Sequence, residues 1–449
     1  MRNSAELWIR AVARIRGDST YRVFDEIRDR LFQPADCIES FQLDALRSIL
    51  AHAHATTIGY RERMDVAGLV PQEMKSISEL SKLAVTTKDD IRHIAQFMSS
   101  EAWQHDIRKK NTSGSTGVPL TFYRDRSYVL LGSAGTCRNM ALAGWCPGHA
   151  IGYIWGYERE VENLRKRIKS WFSRVYYMNA FRQCDRSMEQ WVRLLKSAKV
   201  RHLYGYPSSL YVFGQFVLEH GIDLPMNAVF CTAEKYFAFE RRLIEKAFRC
   251  KSYDYYGSSE IQNAAFECTK GNMHVSSDFV VLEAQRPASG DAGENGTTEI
   301  IATSLHNRCM PFIRYETGDY GCLLDRRCDC GINTPLVRID GGSKYDFLVT
   351  PRGTVHGAVL ERVFNKIADV RRYQIVQHAV GRYTIRCEIA RGVDTGSVKA
   401  LVEKRGMEVL EEIMQIPVRI DFEYPERIEA GPGGKYRFVY REIQPEVVR

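Results

Sequence analysis

Short apolar segments alternate with amphipathic segments through residues 96–340, and this alternation constrains the fold more than any other feature of the chain. Ile151–Trp155 and Ala228–Thr232 have the length and apolar content of buried strands. Ser187–Lys196 and Phe239–Ala247 instead place apolar residues at helical spacing. Because strands and helices alternate along the chain, we expect an α/β architecture for this region.

Two regions with different patterns flank the α/β core. Residues 1–95 are predicted to be mostly helical, and Phe41–Leu50 shows the helical spacing of apolar residues. After Gly342, residues 341–449 are predicted to form a smaller α+β unit. Within the core, the glycine-rich segment Ser289–Gly296 is typical of a turn between two strands.

Length and charge are those of a sizeable globular enzyme. The 449 residues correspond to about two to four domains. The net charge of +8 comes from 63 basic and 55 acidic residues spread along the chain. This excess fits an anionic small-molecule ligand, and an ordinary solvated surface explains it equally well. Since no basic tract has interleaved aromatic residues, we expect no nucleic-acid binding.

The chain carries no sequence signal for membrane insertion or secretion. No apolar run reaches the ~18 residues that a membrane-spanning helix needs, and the first residues are not followed by the apolar region of a signal peptide. Twelve cysteines in such a chain predict reduced thiols, so we expect a cytoplasmic protein.

The segment Asn111–Pro119 is rich in glycine and hydroxyl residues and ends in proline. Glycine permits left-handed backbone angles, so successive amide groups can converge on an anion, and the hydroxyls add donors for phosphate oxygens. A Walker loop needs lysine after its last glycine, but Val118 follows Gly117 here. The segment therefore indicates a nucleotide enzyme outside the P-loop class; a flexible surface linker is the alternative.

Four further segments follow this loop in a fixed order. Tyr255–Glu260 and Pro311–Asp319 each supply a carboxylate, the first after a predicted strand and the second behind a turn glycine. Gly341–Asp346 lies at the presumed domain junction, and Gly431–Lys435 places a lysine on a glycine-rich loop. Each segment alone fits an ordinary solvated surface, so it is their order and spacing together that indicate a nucleotide site.

With these segments the chain resembles the adenylate-forming superfamily of acyl-CoA synthetases, peptide-synthetase adenylation domains and luciferases. The resemblance extends from about Phe41 to Arg441. Leu46–Ala53, Thr86–Arg92 and Tyr204–Leu210 are most similar to the phenylacetate–coenzyme A ligase branch, which includes ligase-like proteins of capsular polysaccharide clusters.

The resemblance implies both a fold and a reaction. The implied fold has a large N-terminal adenylate-forming domain of several subdomains and a small mobile α+β C-terminal domain. The implied reaction converts a small carboxylic acid to an acyl-adenylate with release of pyrophosphate, using ATP and Mg2+ and, most often, coenzyme A as the acyl acceptor. Two anions meet in this reaction, so the site must neutralise charge at the transferring phosphoryl group.

Lys435, Glu260 and Thr116 are the implied catalytic residues. Glu260 would bind Mg2+, a hard ion suited to carboxylate and phosphate oxygens. Lys435 would stabilise charge on the α-phosphate and the attacking carboxylate, although a solvated loop lysine is the alternative. The β- and γ-phosphates would contact a loop formed by Thr112, Ser113, Gly114, Ser115, Thr116 and Gly117.

The remaining implied nucleotide contacts come from three places. Asp319 would accept hydrogen bonds from the ribose hydroxyls. Ala233 and Glu234 match an Ala-Glu pair near the nucleotide, but Glu234 is explained equally well as a helix-capping acid. The adenine and the α-phosphate would be flanked by Tyr255, Tyr256, Gly257 and Ser258.

The domain junction departs from the superfamily pattern. An arginine that contacts the ribose usually follows the junction glycine, and Ser343 stands there in this chain. Lys344 can supply a point charge but lacks the planar fork of arginine. The departure puts nucleotide affinity and hinge behaviour in doubt. Asp346 would be the hinge about which the C-terminal domain rotates between half-reactions.

Cys268, His274, Cys328 and Cys330 form a second candidate site. A set of three cysteines and one histidine is an accepted closed zinc site, but this spacing matches no standard zinc finger, and the spacing alone favours scattered buried cysteines. Some members of the phenylacetate-ligase-like branch carry a structural zinc at matching positions, so the resemblance implies structural Zn2+ here.

The acid and the acyl acceptor are weakly specified. Tyr153, Trp155, Tyr206 and Pro207 are the candidate lining of a pocket for an aromatic or small acyl group, and ordinary core packing is the alternative. Amide formation, AMP transfer to an acceptor, and a degenerate binding or scaffold protein all remain open beside thioester formation. The oligomeric state is also open, a homodimer included.

Overall fold

The structure, a computed structural model, describes residues 4–104, 106–111, 120–156, 170–180, 183–285, 298–342, 347–351, 353–356, 367, 369–390, 392–428 and 439–443. The loop 112–119, the hinge region 343–346, the turn 289–296 and Lys435 lie outside these ranges. In the described ranges no helix is both long enough and apolar enough to cross a membrane.

Helices dominate the N-terminal region, as its spacing predicts. The longest helix contains Phe41–Leu50 and buries Leu46, Ile49 and Leu50 on one face. Its successor ends where Gly68 takes a left-handed conformation with φ of 60°. The α-helices are α1 Ser4–Ile15, α2 Thr20–Ile27, α3 Ala35–Thr56, α4 Ile58–Ala67, α5 Lys88–Arg92 and α6 Ile94–Phe97. Short 3-10 turns lie at Arg30–Phe32, Pro71–Glu73, Ile77–Lys82 and Ala102–Gln104.

A large sheet forms the centre of the molecule. Its strands are β3 Ile151–Trp155, β4 Val175–Asn179, β5 His202–Gly205, β6 Ala228–Thr232, β7 Ser252–Tyr256, β8 Ala265–Glu267, β9 Met273–Val275, β10 Val280–Gln285, β11 Thr298–Ser304, β12 Tyr315–Leu324 and β13 Leu336–Gly342. A separate antiparallel hairpin consists of β1 Ile107–Asn111 and β2 Thr121–Asp125, which flank the predicted phosphate loop.

The sheet has a parallel half and an antiparallel half. The order of its 11 strands is β10-β11-β12-β13-β9-β8-β7-β6-β5-β3-β4. Strands β4, β3, β5, β6 and β7 are mutually parallel, and the remaining pairs are antiparallel. This arrangement gathers the carboxyl ends of the parallel strands at one edge, where open α/β sheets bind their ligands.

Helices cover both faces of the parallel half. These are α7 Arg126–Leu142, α8 Asp185–Ser197, α9 Pro207–Glu219 and α10 Ala238–Phe248. Helix α8 illustrates the predicted pattern, because its buried Met188, Trp191, Val192 and Leu195 share one face. The two predicted strands and two predicted helices of this region are confirmed.

The C-terminal region has its own core. It contains the hairpin β14 Phe347–Thr350 and β15 Gly353–His356, the strands β16 Val370–Ala379, β17 Arg382–Ile389, β18 Arg419–Glu423 and β19 Val439–Arg441, and the helix α11 Thr395–Met414. The four later strands form a sheet in the order β18-β17-β16-β19. The predicted α/β fold with a helical N-terminal region and a small α+β C-terminal unit is confirmed.

Candidate active site

Several predicted site residues meet at the carboxyl edge of the parallel strands. Strand β5 leads into Tyr206 and Pro207, β6 leads into Ala233, and β7 ends at Tyr256. Pro207 is the first residue of α9. An N–H at this position would have no partner within the helix, so proline loses no hydrogen bond there. The edge therefore brings the motif residues of three strands together, although they are far apart in the sequence.

A hydrogen bond joins two of the predicted nucleotide residues. Tyr256 Oη donates to Asp319 Oδ2 at 2.7 Å. Burial, followed by the nearby Asp319 charge, raises the pKa of Tyr256, so its hydroxyl stays protonated and keeps donating. Asp319 lies within strand β12, opposite Gly342, rather than in a turn. The predicted turn glycine, Gly318, has a left-handed φ of 77° inside the strand.

Glu260 is held in a buried loop between β7 and β8. Its side chain is 7% exposed, and Tyr315 Oη lies 3.5 Å from its Oε1. The Ser258 hydroxyl accepts from the Glu260 amide at 3.2 Å and from the Ile261 amide at 3.1 Å, which fixes the loop. A buried carboxylate is a suitable ligand for Mg2+, provided that phosphate and water oxygens complete the shell.

Gly257 sits where any larger side chain would collide with backbone. A Cβ at this position would lie 3.0 Å from the Asn263 amide nitrogen and 3.1 Å from the Ile261 carbonyl oxygen. The close approach of the returning loop therefore favours glycine here, and this packing places Ser258 and Glu260 directly after the strand.

Glu234 caps a helix. Its Oε2 accepts from the Ser208 amide, 3.2 Å away in the first turn of α9. The preceding residue, Ala233, holds a left-handed φ of 69°, which is unusual for a residue other than glycine. The contact with the Ser208 amide supports the helix-capping interpretation of Glu234. The nucleotide roles of Ala233 and Glu234 stay predictions.

Tyr255 and Tyr256 lie on opposite faces of the sheet, because side chains alternate along a strand. The Tyr255 ring packs on Phe230, with centroids 5.5 Å apart, and belongs to the core cluster beneath α7. Only Tyr256 reaches Asp319. Strand alternation therefore turns the Tyr255 side chain away from the Tyr256–Asp319 pair, and its predicted contact with the nucleotide stays a prediction.

Several aromatic rings, which we call the aromatic cluster, lie together at the carboxyl edge on the side of Tyr255. The Tyr153 and Tyr204 ring centroids are 4.9 Å apart, and those of Trp155 and Tyr206 are 4.4 Å apart. Tyr153, Trp155 and Tyr204 are partly exposed, whereas Tyr206 is buried. Flat, partly open rings at the carboxyl edge are chemically suited to a planar apolar group.

Three residues of the site carried no sequence signal. Burial, and secondarily Glu267, raises the pKa of half-buried Asp254 to about 7. Burial lowers the pKa of Arg124, whose buried Nε has no partner among the described residues. Lys235 Nζ donates to the Asp340 carbonyl oxygen next to the junction. Each is a lone charged residue in a strand or loop, and only the tertiary structure distinguishes such residues from surface charges.

The four predicted zinc ligands converge. Their candidate donor atoms all lie within 4.8 Å of one another, with Cys268 Sγ 3.8 Å from Cys328 Sγ and Cys330 Sγ 3.3 Å from His274 Nε2. His274 is fully buried in β9. Asn272 Nδ2 donates to Cys328 Sγ at 3.1 Å, and Thr334 Oγ1 lies 3.4 Å from His274 Nδ1. The donor set and its supporting contacts fit a four-ligand zinc site.

The other predicted site residues lie outside the described ranges, so their placement stays a prediction. These are Thr112, Ser113, Gly114, Ser115, Thr116, Gly117, Lys344, Asp346 and Lys435.

Comparisons with known proteins agree with this architecture. No protein-family profile matches the chain. A phenylacetate-coenzyme A ligase of Thermus thermophilus is 23% identical over 358 residues, covering 78% of this chain and 80% of the relative. Protein CapK of Staphylococcus aureus is 23% identical over 380 residues, covering 82% of each chain.

The crystal structure of 2-hydroxyisobutyryl-CoA ligase in the postadenylation state shares the fold. Its TM-score is 0.75, and the match covers 94% of this chain and 92% of that chain at 18% identity. In sequence and in fold the chain is therefore similar to adenylate-forming ligases. Its relatives at 23–25% identity include several phenylacetate-coenzyme A ligases, which confirms the resemblance found in the sequence.

Proposed function

We propose that the protein activates a carboxylic acid as an acyl-adenylate and then transfers the acyl group to coenzyme A. The observation that carries this proposal is the meeting of the Tyr256–Asp319 pair and buried Glu260 at the carboxyl edge of the parallel strands, where the aromatic cluster also lies. Several relatives are phenylacetate-coenzyme A ligases, and 2-hydroxyisobutyryl-CoA ligase shares the fold.

The nucleotide would be positioned by groups that point to different parts of ATP. A carboxylate accepts about four hydrogen bonds, so Asp319 can accept from the ribose hydroxyls as well as from Tyr256. Tyr256 and Gly257 would flank the adenine. The loop 112–117 would contact the β- and γ-phosphates. Glu260 would hold Mg2+, which supplies charge neutralisation to the phosphate oxygens when it is bound.

In the first half-reaction a carboxylate oxygen of the acid attacks the α-phosphorus of ATP. The bond from that phosphorus to the oxygen bridging the β-phosphate breaks, and pyrophosphate leaves. Lys435 would stabilise the negative charge that builds on the α-phosphate oxygens. Thr116 would donate to the departing phosphates. In the second half-reaction the coenzyme A thiol loses its proton, its sulfur attacks the acyl carbonyl carbon, and AMP leaves.

The junction between the two units is the least conventional part of this site. Lys344 is the proposed replacement for the usual arginine, and Asp346 the proposed hinge. Lys235 contacts the Asp340 carbonyl oxygen next to this junction, and Arg338 binds the Asp340 carboxylate at 2.7 Å. The Lys235 contact ties the end of β13 to the loop after β6, which fits a fixed base for a rotating C-terminal unit.

A structural zinc is part of the proposal. Cys268, His274, Cys328 and Cys330 would bind one Zn2+ with all four positions filled by protein, so no position is left for a reacting water. The ion would join the β8–β9 turn to the loop between β12 and β13.

All twelve cysteines are free thiols in the structure, which fits the reducing cytoplasm that we propose for this protein.

Formation of acyl-coenzyme A and AMP from acid, ATP and coenzyme A tests the proposed function. An acid panel should include arylacetic, benzoic and short hydroxy acids, with hydroxylamine in a parallel reaction to trap acyl-adenylate. Acyl-hydroxamate without acyl-coenzyme A would point to an amide ligase or another acceptor. No acid-dependent product in either reaction would favour the degenerate binding or scaffold protein, an alternative that the missing junction arginine supports.

A further inference from the structure

Tyr255 has a buried hydroxyl without a partner. The residue is 6% exposed, and its Oη makes no hydrogen bond to any residue that the structure describes. Burying a hydroxyl without a compensating hydrogen bond is unfavourable. Natural proteins seldom retain such a group where phenylalanine fills the same space, so the hydroxyl needs an explanation.

The Tyr255 ring belongs to the aromatic cluster. The Tyr255 and Tyr204 ring centroids are 6.4 Å apart, and the Tyr204 and Tyr153 centroids are 4.9 Å apart. Since Tyr153 and Tyr204 are partly exposed, neighbouring rings connect the buried Tyr255 with the protein surface. The Thr232 hydroxyl donates to the Tyr255 carbonyl oxygen at 2.8 Å and fixes the backbone beneath it.

The chemistry of this position is that of a neutral donor. Burial raises the pKa of Tyr255, and the neighbouring Tyr204 and Tyr253 phenols act in the same direction. The phenol is therefore protonated at neutral pH, and it offers one O–H and two acceptor lone pairs. The rings around it are suited to a flat, apolar body, whereas the hydroxyl is suited to a single polar atom attached to that body.

We propose that Tyr255 Oη hydrogen-bonds a hydroxyl substituent of the acid, so that the substrate is a hydroxylated aromatic carboxylic acid. This inference rests on the proposed function and specifies its substrate class. A site that buries a polar group for a substrate hydroxyl also rejects the analogue without it, because the protein group is then left unpaired. Tyr255 thereby becomes a residue of acid specificity rather than of nucleotide binding.

Binding of acyl-adenylate analogues tests the inference without dependence on the acyl acceptor. The probes are acyl-sulfamoyl-adenosines in matched pairs: phenylacetyl with 3- and 4-hydroxyphenylacetyl, and benzoyl with 3- and 4-hydroxybenzoyl. Calorimetry gives their Kd values for wild type and Tyr255→Phe. Tyr253→Phe, which removes a phenol on the same strand and face, is the matched control.

We expect at least one hydroxylated analogue to bind wild type roughly tenfold more tightly than its unsubstituted partner. Tyr255→Phe should bring that ratio to within about twofold by weakening only the hydroxylated analogue, and Tyr253→Phe should keep it. Equal binding of every pair by wild type overturns the inference and means that Tyr255 contacts water; a preference that survives in Tyr255→Phe overturns it as well. Failure of all analogues to bind contradicts the proposed function itself.

Discussion

At the scale of single residues, the site depends on how one phenol orients one carboxylate. Tyr256 ends strand β7, Asp319 lies on the separate strand β12, and a hydrogen bond of 2.7 Å connects them. Because burial keeps the Tyr256 hydroxyl protonated, it always presents its hydrogen to Asp319. In the proposed nucleotide site the carboxylate would thus be preorganised for ribose before ATP binds, and preorganised groups contribute more to binding than mobile ones.

Tyr256→Phe should weaken ATP binding roughly two- to tenfold, the range for one hydrogen bond. The acid KM should stay unchanged, since the side chain of Tyr256 and the aromatic cluster lie on opposite faces of the sheet. Titration calorimetry with ATP gives the Kd, and Tyr253→Phe is the matched loss of one hydroxyl on the same strand. A variant that binds ATP as wild type does would show that Tyr256 does not orient Asp319 for the nucleotide.

Lys435→Ala should lower the rate of adenylation by ~10²–10³, the scale for removal of a preorganised charge-stabilising donor. It should leave acyl transfer from chemically made acyl-adenylate intact, because the lysine acts only while the α-phosphate is attacked. Rapid-quench assays of the two half-reactions measure this separation. The assigned role is wrong if both half-reactions slow to the same extent.

Residue types were predictable here, but side-chain directions were not. The motif Tyr255–Glu260 correctly indicated a carboxylate after a strand, and Glu260 follows β7. It could not separate Tyr255 from Tyr256, since the face that a side chain occupies depends on where the strand begins and pairs. Glu234 shows the same limit, because its contact with the Ser208 amide depends on the packing of α9 against the loop after β6.

At the scale of secondary-structure elements, the cysteine–histidine cluster joins parts of the sheet whose strands pair over only a few residues. Strand β9 has three residues, and its described pairing with β13 is a single position, Leu336 with His274. The cluster adds Cys268 at the end of β8 and the two cysteines of the loop 325–335. A metal held by all four would stabilise this region more than so short a ladder can.

Purified protein should contain about one zinc ion per chain, bound tightly enough to survive dialysis. Cys330→Ser should lose the metal and lower the thermal midpoint by roughly 5 °C or more, because loss of a bound ion removes at least a few kcal/mol of native-state stabilisation. Elemental analysis and calorimetry measure the two effects.

Cys322→Ser is the matched control, since Cys322 lies on β12 outside the cluster. It should retain zinc and the wild-type midpoint. Protein prepared without chelator that contains no zinc contradicts the metal proposal outright. Equal destabilisation by both substitutions would instead indicate thiol packing without a metal.

Long periodic elements were predicted well, whereas in the antiparallel half the prediction succeeded for the two strands that flank Ser289–Gly296 and failed around Asp319. The spacing of Ser187–Lys196 predicted α8 to within two residues at its start and one at its end. By contrast, Pro311–Asp319 indicated a turn, but Asp319 lies within β12 because Gly318 takes a left-handed φ at a bulged position of the sheet. In a sequence, a glycine at such a position is typical of a turn. Only the pairing of β12 with β13 shows that the strand continues through it.

At the scale of the whole molecule, the C-terminal unit packs against the core through strand β16. Buried Arg372 donates to the Ser208 carbonyl oxygen at 3.1 Å, at the start of α9, and Arg371 pairs with Glu219 at the end of the same helix. The Tyr373 ring lies 6.3 Å from that of Phe239. The contact therefore combines polar interactions with aromatic packing.

Asp346→Pro should separate the two half-reactions. Proline fixes φ near −65° and removes one backbone donor, so the hinge should be trapped in whichever orientation accepts that angle. Adenylation and acyl transfer are measured separately, the second with chemically made acyl-adenylate. If Asp346→Pro slows both steps equally, the rotation of the C-terminal unit about this residue is not part of the mechanism.

The central claim is adenylation of a carboxylic acid, and the exchange of labelled pyrophosphate into ATP tests it most directly. The assay needs no acyl acceptor and reports the reversal of the first half-reaction alone. The account predicts exchange that depends on acid and Mg2+, is strongest with hydroxylated aromatic acids, and falls by ~10²–10³ in Lys435→Ala. Wild-type protein that binds ATP but shows no acid-dependent exchange across the panel would contradict the account.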